Sequence, residues 1–553
     1  MLRMFQTNQI RQVKELEGVW DFYLSPDNST SAKRYRLFVP GSWEMNQELC
    51  SYRGKGIYEK EIILERETNL KLDFYGVSHT ADVYLDDVLV VHHYNAYTKF
   101  SAIIPHTAKG RHQLKVVVSN AFGEESALHF PNDYYSYGGI TRPVAMSYLP
   151  DLFVEQIHFT PRTENGKWKA CIQVKLNNLR DSQQRGALAL EVANKTLAVS
   201  VLLNPGENIV EKEMEFDDVA VWDVSTPSLY LCRAILMQEG KEIDDLIERV
   251  AFREIKASGN DLLVNGKKIQ IRGFNRHEDH PLYGCAIPVP LMIQDLELIR
   301  ETGANTVRTC HYPNDPRFLD LCDEMGFYVW EESHARGVNE ERMRNPNFAI
   351  QSRDCIHEMI RDDYNHPSII LWGIINEGAS DTAFGREQYQ TQFAQIKQLD
   401  SSRPRTFASC RHFKDLCMDL VDVVSFNIYP LWYFEEDPNV FLDRLLDWIR
   451  SVEGEEKPFI ISEIGAGAVY GFRTPLKSKW SEERQAEILD AVLSAYLHRE
   501  DVTGMILWQF CDCRVHEEHF AGRPKTENNK GIVDIYRRPK LAYEVVRRHF
   551  TGQ

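Results

Sequence analysis

No stretch of 18 apolar residues occurs in the 553-residue sequence, which excludes a helical membrane span. The opening segment, Met1 to Val13, is polar and lacks the apolar core of a secretory leader. Basic residues are in deficit: 64 Lys and Arg stand against 81 Asp and Glu, a formal net charge of -17. A general nucleic-acid binder needs the opposite surface, whereas a small anionic substrate needs only a few local cations. Metal-ligand spacing is missing too. The 11 Cys are scattered and odd in number, Cys511 and Cys513 are too close for the usual zinc doublet, and Cys410 and Cys417 have no partner doublet. These absences point to reduced, buried thiols and a cytoplasmic location. They imply no membrane or nucleic-acid partner, no metal and no other cofactor.

What is present is a globular composition, 43% hydrophobic and 26% charged, in a chain too long for one core. From about Leu16 to Pro150 short alternating segments dominate, such as Ala81-Asp82-Val83-Tyr84-Leu85, joined to Val88-Leu89-Val90-Val91 by an Asp-Asp turn. This predicts a β-sandwich over residues 1–151. Alternation resumes with new punctuation from Leu152 to about Phe252, predicting an immunoglobulin-like β-sandwich over 152–253.

After Gly259 the period changes to βα alternation. Candidate parallel strands lie at 269–274, 304–308, 327–331, 369–375, 405–409, 422–427, 458–462 and 504–509, with helical patterns such as 292–301, 317–325 and 482–499 between them. Eight units predict a C-terminal (β/α)8 TIM barrel over 254–553, although the stretch between strands five and six carries no clear helical pattern.

In such a barrel chemistry sits at the C-terminal strand ends. Strand four delivers Asn376-Glu377 and strand seven delivers Glu463, each after an apolar run. A single Glu there is ordinarily just the polar residue that ends a strand; two on opposite sides of one mouth suit glycoside hydrolysis. That reaction needs one protonated carboxyl and, in retaining enzymes, one ionised carboxylate about 5–5.5 Å away. Arg308 at the end of strand two is placed to keep a carboxylate ionised. His277, His280 and His311 suggest a metal, but neutral donors to sugar hydroxyls fit better because no acidic or Cys set closes a zinc geometry. Trp508 is a candidate sugar platform, and Trp372 is either a platform or core.

The sequence resembles glycoside hydrolase family 2. Phe274-Asn275-Arg276-His277-Glu278-Asp279-His280-Pro281 is similar to its first barrel signature, and the run from Gly303 to Pro313 to its second. Asn365-His366-Pro367-Ser368 with Asn376-Glu377 resembles the acid/base motif, and Ser462-Glu463-Ile464-Gly465-Ala466 the nucleophile motif. Pro40-Gly41-Ser42-Trp43 extends the likeness into the first sandwich, read as a jelly-roll, sugar-binding-like domain. Gly378 departs from a common Pro, and Ile464 from a common aromatic.

The resemblance to the bacterial β-glucuronidases of that family implies a retaining, exo-acting enzyme and a homo-oligomer. Its substrate would be a small glucuronide or a saccharide ending in a uronic acid. Asn528 and Lys530 match a pair that grips the substrate carboxylate. Tyr429 and Tyr433 match the tyrosines after strand six, and Asp133 matches an aspartate that reaches the sugar hydroxyls. Glu377 is then the acid/base, Glu463 the nucleophile, and Asn376 the partner of the 2-hydroxyl. Arg523 is a second candidate for the anion, and Arg336, in a connection lacking the long loop of some relatives, for a sugar or its carboxylate. A β-galacturonidase or dual enzyme stays open beside the β-glucuronidase, since the two sugars differ only at C4. A neutral-sugar β-galactosidase and a non-catalytic carbohydrate-binding protein are further alternatives.

Overall fold

The computed structural model describes residues 1–24, 33–453 and 456–552. The first sandwich pairs a four-stranded antiparallel sheet, in the order Gln12–Glu15, Val144–Leu149, Thr68–Phe74, Phe100–Thr107, with a six-stranded one. The latter runs Arg34–Val39, Gly18–Leu24, Lys55–Leu64, Gly110–Ser119, Thr80–Leu85, Val88–Tyr94. Alternation explains the burial: Leu114, Val116 and Val118 are all buried, as successive side chains of a strand face opposite sides. Asp86 and Asp87 take φ of +49° and +64°, the paired left-handed geometry of a two-residue hairpin.

Seven more antiparallel strands form the second sandwich. Leu152–Glu164, Lys167–Asn178 and Gly206–Phe216 face Lys195–Leu203, Gln184–Val192, Tyr230–Gln238 and Lys241–Val250.

The barrel strands are β1 (Ile271–Asn275), β2 (Thr306–Thr309), β3 (Tyr328–Glu332), β4 (Ile369–Ile374), β5 (Arg405–Phe407), β6 (Val424–Asn427), β7 (Phe459–Ile464) and β8 (Gly504–Leu507). They are parallel neighbours in the order β5-β4-β3-β2-β1-β8-β7-β6. The ring closes where Ser409 N donates to Ser425 O at 3.1 Å and Asn427 N to Ser409 O at 2.8 Å. All eight expected strands are present. Between β5 and β6 there is no α-helix, only a 3-10 turn at Met418–Leu420. Buried Asp415 organises that connection instead, accepting from Cys417 N at 2.7 Å and from the hydroxyls of Ser380 and Ser409, both at 2.5 Å.

Apolar side chains plug the barrel's lower half, among them Ile271, Trp330, Ile370, Ile460 and Ile506. The charged side chains of the barrel interior gather instead at the C-terminal mouth. The segment from Asn120 to Arg142 leaves the first sandwich and crosses to this mouth. Tyr137 Oη donates to Asp279 Oδ1 at 2.8 Å, and Arg142 Nη2 to Glu278 Oε2 at 2.8 Å. The second sandwich and the N-terminal arm brace the opposite flank through Trp222 Nε1 to Asp323 O at 2.9 Å and Arg3 to Asp320 at 2.8 and 2.9 Å. No helix among the described residues is long and apolar enough to cross a membrane.

Candidate active site

Arg308, fully buried on β2, organises the floor of the mouth. Its guanidinium lies 4.7 Å from the Trp330 ring centre. It donates to Glu332 Oε2 at 2.7 and 2.9 Å, Asn275 Oδ1 at 2.9 Å, Asn376 Oδ1 at 2.9 Å and Glu463 Oε1 at 3.1 Å. The other oxygen of Glu463 accepts from Tyr429 Oη at 2.7 Å. Burial and the neighbouring Glu377 push Glu463 up to about 7, against the downward pull of Arg308 and Tyr429. A bulge in β7 between Ile461 and Ile464 breaks the strand's alternation. It lets consecutive residues serve one site: Ser462 Oγ donates to Asn427 Oδ1 at 2.7 Å while Glu463 meets Arg308.

Past the end of β4 the chain turns through two non-glycine residues at positive φ, Ile375 at +30° and Glu377 at +54°. Such conformations are unfavourable by about 1–3 kcal/mol each and persist only where the surroundings impose them. Here Asn376 N donates to Ala335 O at 2.9 Å, Gly337 N to Asn376 O at 2.7 Å and Glu377 N to Ala408 O at 2.9 Å. Gly378 completes the turn. A Cβ there would lie 2.5 Å from Ile375 Cγ2 and 2.7 Å from Tyr389 Oη, so any side chain at this position requires Ile375 and Tyr389 to shift. The turn aims Asn376 and Glu377 together at the mouth. Glu377 accepts from Asn427 Nδ2 at 3.0 Å and from Arg336 Nη2 at 3.3 Å, and Arg336 is held by Asn132 Oδ1 at 2.9 Å. Asn376 Oδ1 accepts from both Arg308 and Asn427. That fixes the amide, and Nδ2 is left as a buried donor with no protein partner.

The other side of the mouth is cationic. Arg523 grips Asp133 with both donors, Nε at 3.1 Å. Asn528 Nδ2 donates to Asp133 Oδ2 at 3.1 Å, with a second amide hydrogen to spare. Asp133 is thus engaged by both Arg523 and Asn528. Lys530 is buried and has no carboxylate partner among the described residues; its ammonium sits 5.3 and 5.7 Å from the ring centres of Tyr433 and Tyr429. Burial pushes the Tyr433 phenol up, but Lys530 and then Arg523 beside it outweigh that and hold it below the usual phenol range. An unpaired ammonium at this depth calls for an anionic ligand.

His277 and His311 line the same mouth. His311 Nδ1 is 2.9 Å from Glu332 Oε1, His277 Nδ1 is 3.2 Å from Tyr312 Oη, and Trp508 stacks on His311 with ring centres 5.0 Å apart. Burial holds His277 down at about 3 and His311 well below its usual value, so both are neutral. His280 lies apart, accepting from Leu282 N. Trp372 is core: it is fully buried and donates to Asp400 Oδ2 at 2.8 Å. Tyr433 stands at the rim, 59% exposed.

All thirteen expected site residues therefore fall around one mouth, Arg523 with them. Glu332 and Asn132 were missing from the sequence reading, and Asn427 and Asn275 had no role in it. The strand-end rule points to Asn427 and Asn275. Glu332 was lost because strand three was ended one residue early, and Asn132 comes from another domain with no local signal.

The comparisons agree with this architecture. The model of "Glycosyl hydrolases family 2, TIM barrel domain" matches residues 255–552, and "Glycosyl hydrolases family 2" matches 152–253. A solved GH2 β-galacturonidase from Eisenbergiella tayi, bound to galacturonate, is 47% identical with a TM-score of 0.97, over 100% of this chain and 99% of that one. A β-glucuronidase from Streptococcus agalactiae is 25% identical over 582 residues, 96% of this chain and 94% of the relative. The fold is shared with a β-glucuronidase from Ruminococcus gnavus, 23% identical with a TM-score of 0.86, over 100% and 99% of the two chains. With the barrel model spanning more than half its length, this chain belongs to glycosyl hydrolase family 2.

Proposed function

We propose that the protein is a retaining, exo-acting β-uronidase that releases terminal β-D-galacturonic acid, with residues 1–151, 152–253 and 254–553 as its three domains. The observation that carries the galacturonide reading is the 47% identity along the whole chain to the enzyme bound to galacturonate. Buried Lys530, without a carboxylate partner, supports the uronate. The expectation of a β-glucuronidase becomes the second reading, favoured by more distant relatives such as the one from Streptococcus agalactiae.

In this reading Lys530, Asn528 and Arg523 receive the sugar carboxylate and orient C1 between the two glutamates. Asn376 Nδ2 donates to the 2-hydroxyl, a contact that strengthens in the transition state. Glu377 serves as the acid of the pair. Arg308 and Tyr429 keep Glu463 a carboxylate. A Glu463 oxygen bonds to C1 as the C1–oxygen bond to the aglycone breaks, and the Glu377 proton goes to the leaving oxygen. Glu377 then takes a proton from water, which attacks C1 and frees Glu463. His277, His311 and Trp508 border the sugar, and Arg336 adds a cation beside Glu377.

Matched p-nitrophenyl β-galacturonide, β-glucuronide and β-galactoside test it. The expected order of kcat/KM is galacturonide, glucuronide, galactoside. A preference for the neutral galactoside overturns the uronate site, and a preference for the glucuronide overturns the galacto reading alone.

A further inference from the structure

Beside the proposed nucleophile three potential ligand groups converge, one of which, the Cys310 thiol, has no part in the sugar chemistry. His277, Cys310 and His311 are buried, and one ligand atom from each lies within 4.8 Å of the others. The tautomers favour coordination. His311 Nδ1 faces Glu332 Oε1 at 2.9 Å, and a ring that donates to Glu332 from Nδ1 leaves its Nε2 lone pair open. That is the carboxylate–histidine pairing that orients metal-bound imidazoles. His277 Nδ1 is likewise engaged by Tyr312 Oη at 3.2 Å. Both Nε2 atoms are buried without a partner. The sequence groups these histidines with His280 and shows no acidic or Cys set that closes a zinc geometry; the fold puts Cys310 in the place of His280.

We propose that His277 Nε2, Cys310 Sγ and His311 Nε2 form a site for a thiophilic divalent cation of the Zn2+ class, and that its occupation inhibits the enzyme in competition with substrate. Bond lengths of roughly 2.0–2.1 Å to nitrogen and 2.3 Å to sulfur bring such ligands to roughly 3.3–3.7 Å from one another. The cluster must therefore contract by about 1 Å. The Cys310 thiol loses one proton to solvent on binding. Arg308 and Arg336 repel the ion, and Glu332 and Glu463 on either side of Arg308, together with the new thiolate, oppose that repulsion. Glu463 Oε1 lies 3.9 Å from His311 Nε2. An ion held there faces the carboxylate that must attack C1, and it uses the two Nε2 atoms that border the sugar. A second histidine pair, His516 and His519 with Glu518, lies at the surface and contains no sulfur.

The test uses Co2+ and Zn2+ on the full chain. Co2+ should produce a near-ultraviolet thiolate charge-transfer band with intense visible bands of a low-coordinate site, displaced by Zn2+ and by a saturating concentration of the uronate of the best aryl glycoside. Zn2+ should inhibit hydrolysis of the best aryl glycoside competitively. Cys310→Ser should abolish the band and raise the Zn2+ inhibition constant at least tenfold, whereas His519→Ala should change neither. The band in the unsubstituted protein reads the thiolate directly, so the test survives if Cys310→Ser does not fold. No thiolate band, a band that the uronate of the best aryl glycoside leaves in place, or equal Zn2+ inhibition of wild type and Cys310→Ser each overturns the site. None of these outcomes depends on which sugar is preferred, because catalysis without added metal is unaffected by them.

Discussion

Tyr429→Phe isolates one of the two contacts that keep Glu463 ionised. Its hydroxyl donates to Glu463 Oε2 at 2.7 Å, and Glu463 stands at about 7 despite it because burial and Glu377 push upward. The attacking group must be a carboxylate, so kcat/KM of the wild type falls as pH drops through about 7. Losing a hydrogen bond to a charged acceptor costs about 1.5–3 kcal/mol. This raises the protonation point further and moves the acid limb alkaline by roughly one to two pH units. At pH 6, one unit below its limb, the wild type keeps about a tenth of its plateau, and the variant should keep roughly 10- to 100-fold less again. The assay is kcat/KM for the aryl galacturonide from pH 5 to 9. An unshifted limb in Tyr429→Phe, or one moved to lower pH, refutes the claim that this hydroxyl tunes Glu463.

Other expectations concern separate parts of the molecule. Glu463→Ala should nearly abolish turnover, and retention of a large fraction of activity sinks its assignment. Glu377→Gln should lower kcat/KM for substrates with poor leaving groups by roughly 10²- to 10⁴-fold while sparing kcat/KM for activated aryl glycosides, whose slowed deglycosylation azide should speed. Lys530→Ala should lower kcat/KM on uronides by roughly 10- to 150-fold, the worth of a charge-assisted contact, and leave the galactoside unaffected. Glu331, buried behind β3 near Asp363, tests stability. Burial and Asp363 push Glu331 well above the usual carboxyl range, and Asp363 itself rises to about 7. The native state thus holds more protons than the unfolded chain between about pH 4 and 7, and stability falls as pH rises through that window. Glu331→Gln should therefore stabilise by about 1–3 kcal/mol at pH 8 and by less at pH 5 in urea unfolding.

Much of this arrangement was legible in the sequence because barrel strands are apolar runs with abrupt polar ends. Glu377 and Glu463 stand out for that reason, and so does Arg308. What the runs conceal is local departure from regularity. The bulge that brings Ser462 and Glu463 to one side, and the positive φ of Ile375 and Glu377, appear only in three dimensions. Contacts between domains were equally hidden. Asp133 and Asn132 lie more than 200 residues from Arg523 and Arg336, and nothing local in either stretch announces the pairing. The connection after β5 had no helical pattern because it has no helix; Asp415 holds it as a hydrogen-bonded loop. The gluco or galacto preference depends on one stereocentre and a few side-chain directions, which residue types alone do not encode.

The most direct measurement of the central claim is covalent trapping. The enzyme is incubated with 2-deoxy-2-fluoro-β-D-galacturonosyl fluoride, digested and sequenced by mass spectrometry. The account predicts one fluorouronosyl group per chain, esterified to Glu463, with loss of activity in step with labelling and no label in Glu463→Ala. A label on Glu377 or Glu332, or complete turnover of the probe with inverted product and no adduct, contradicts it.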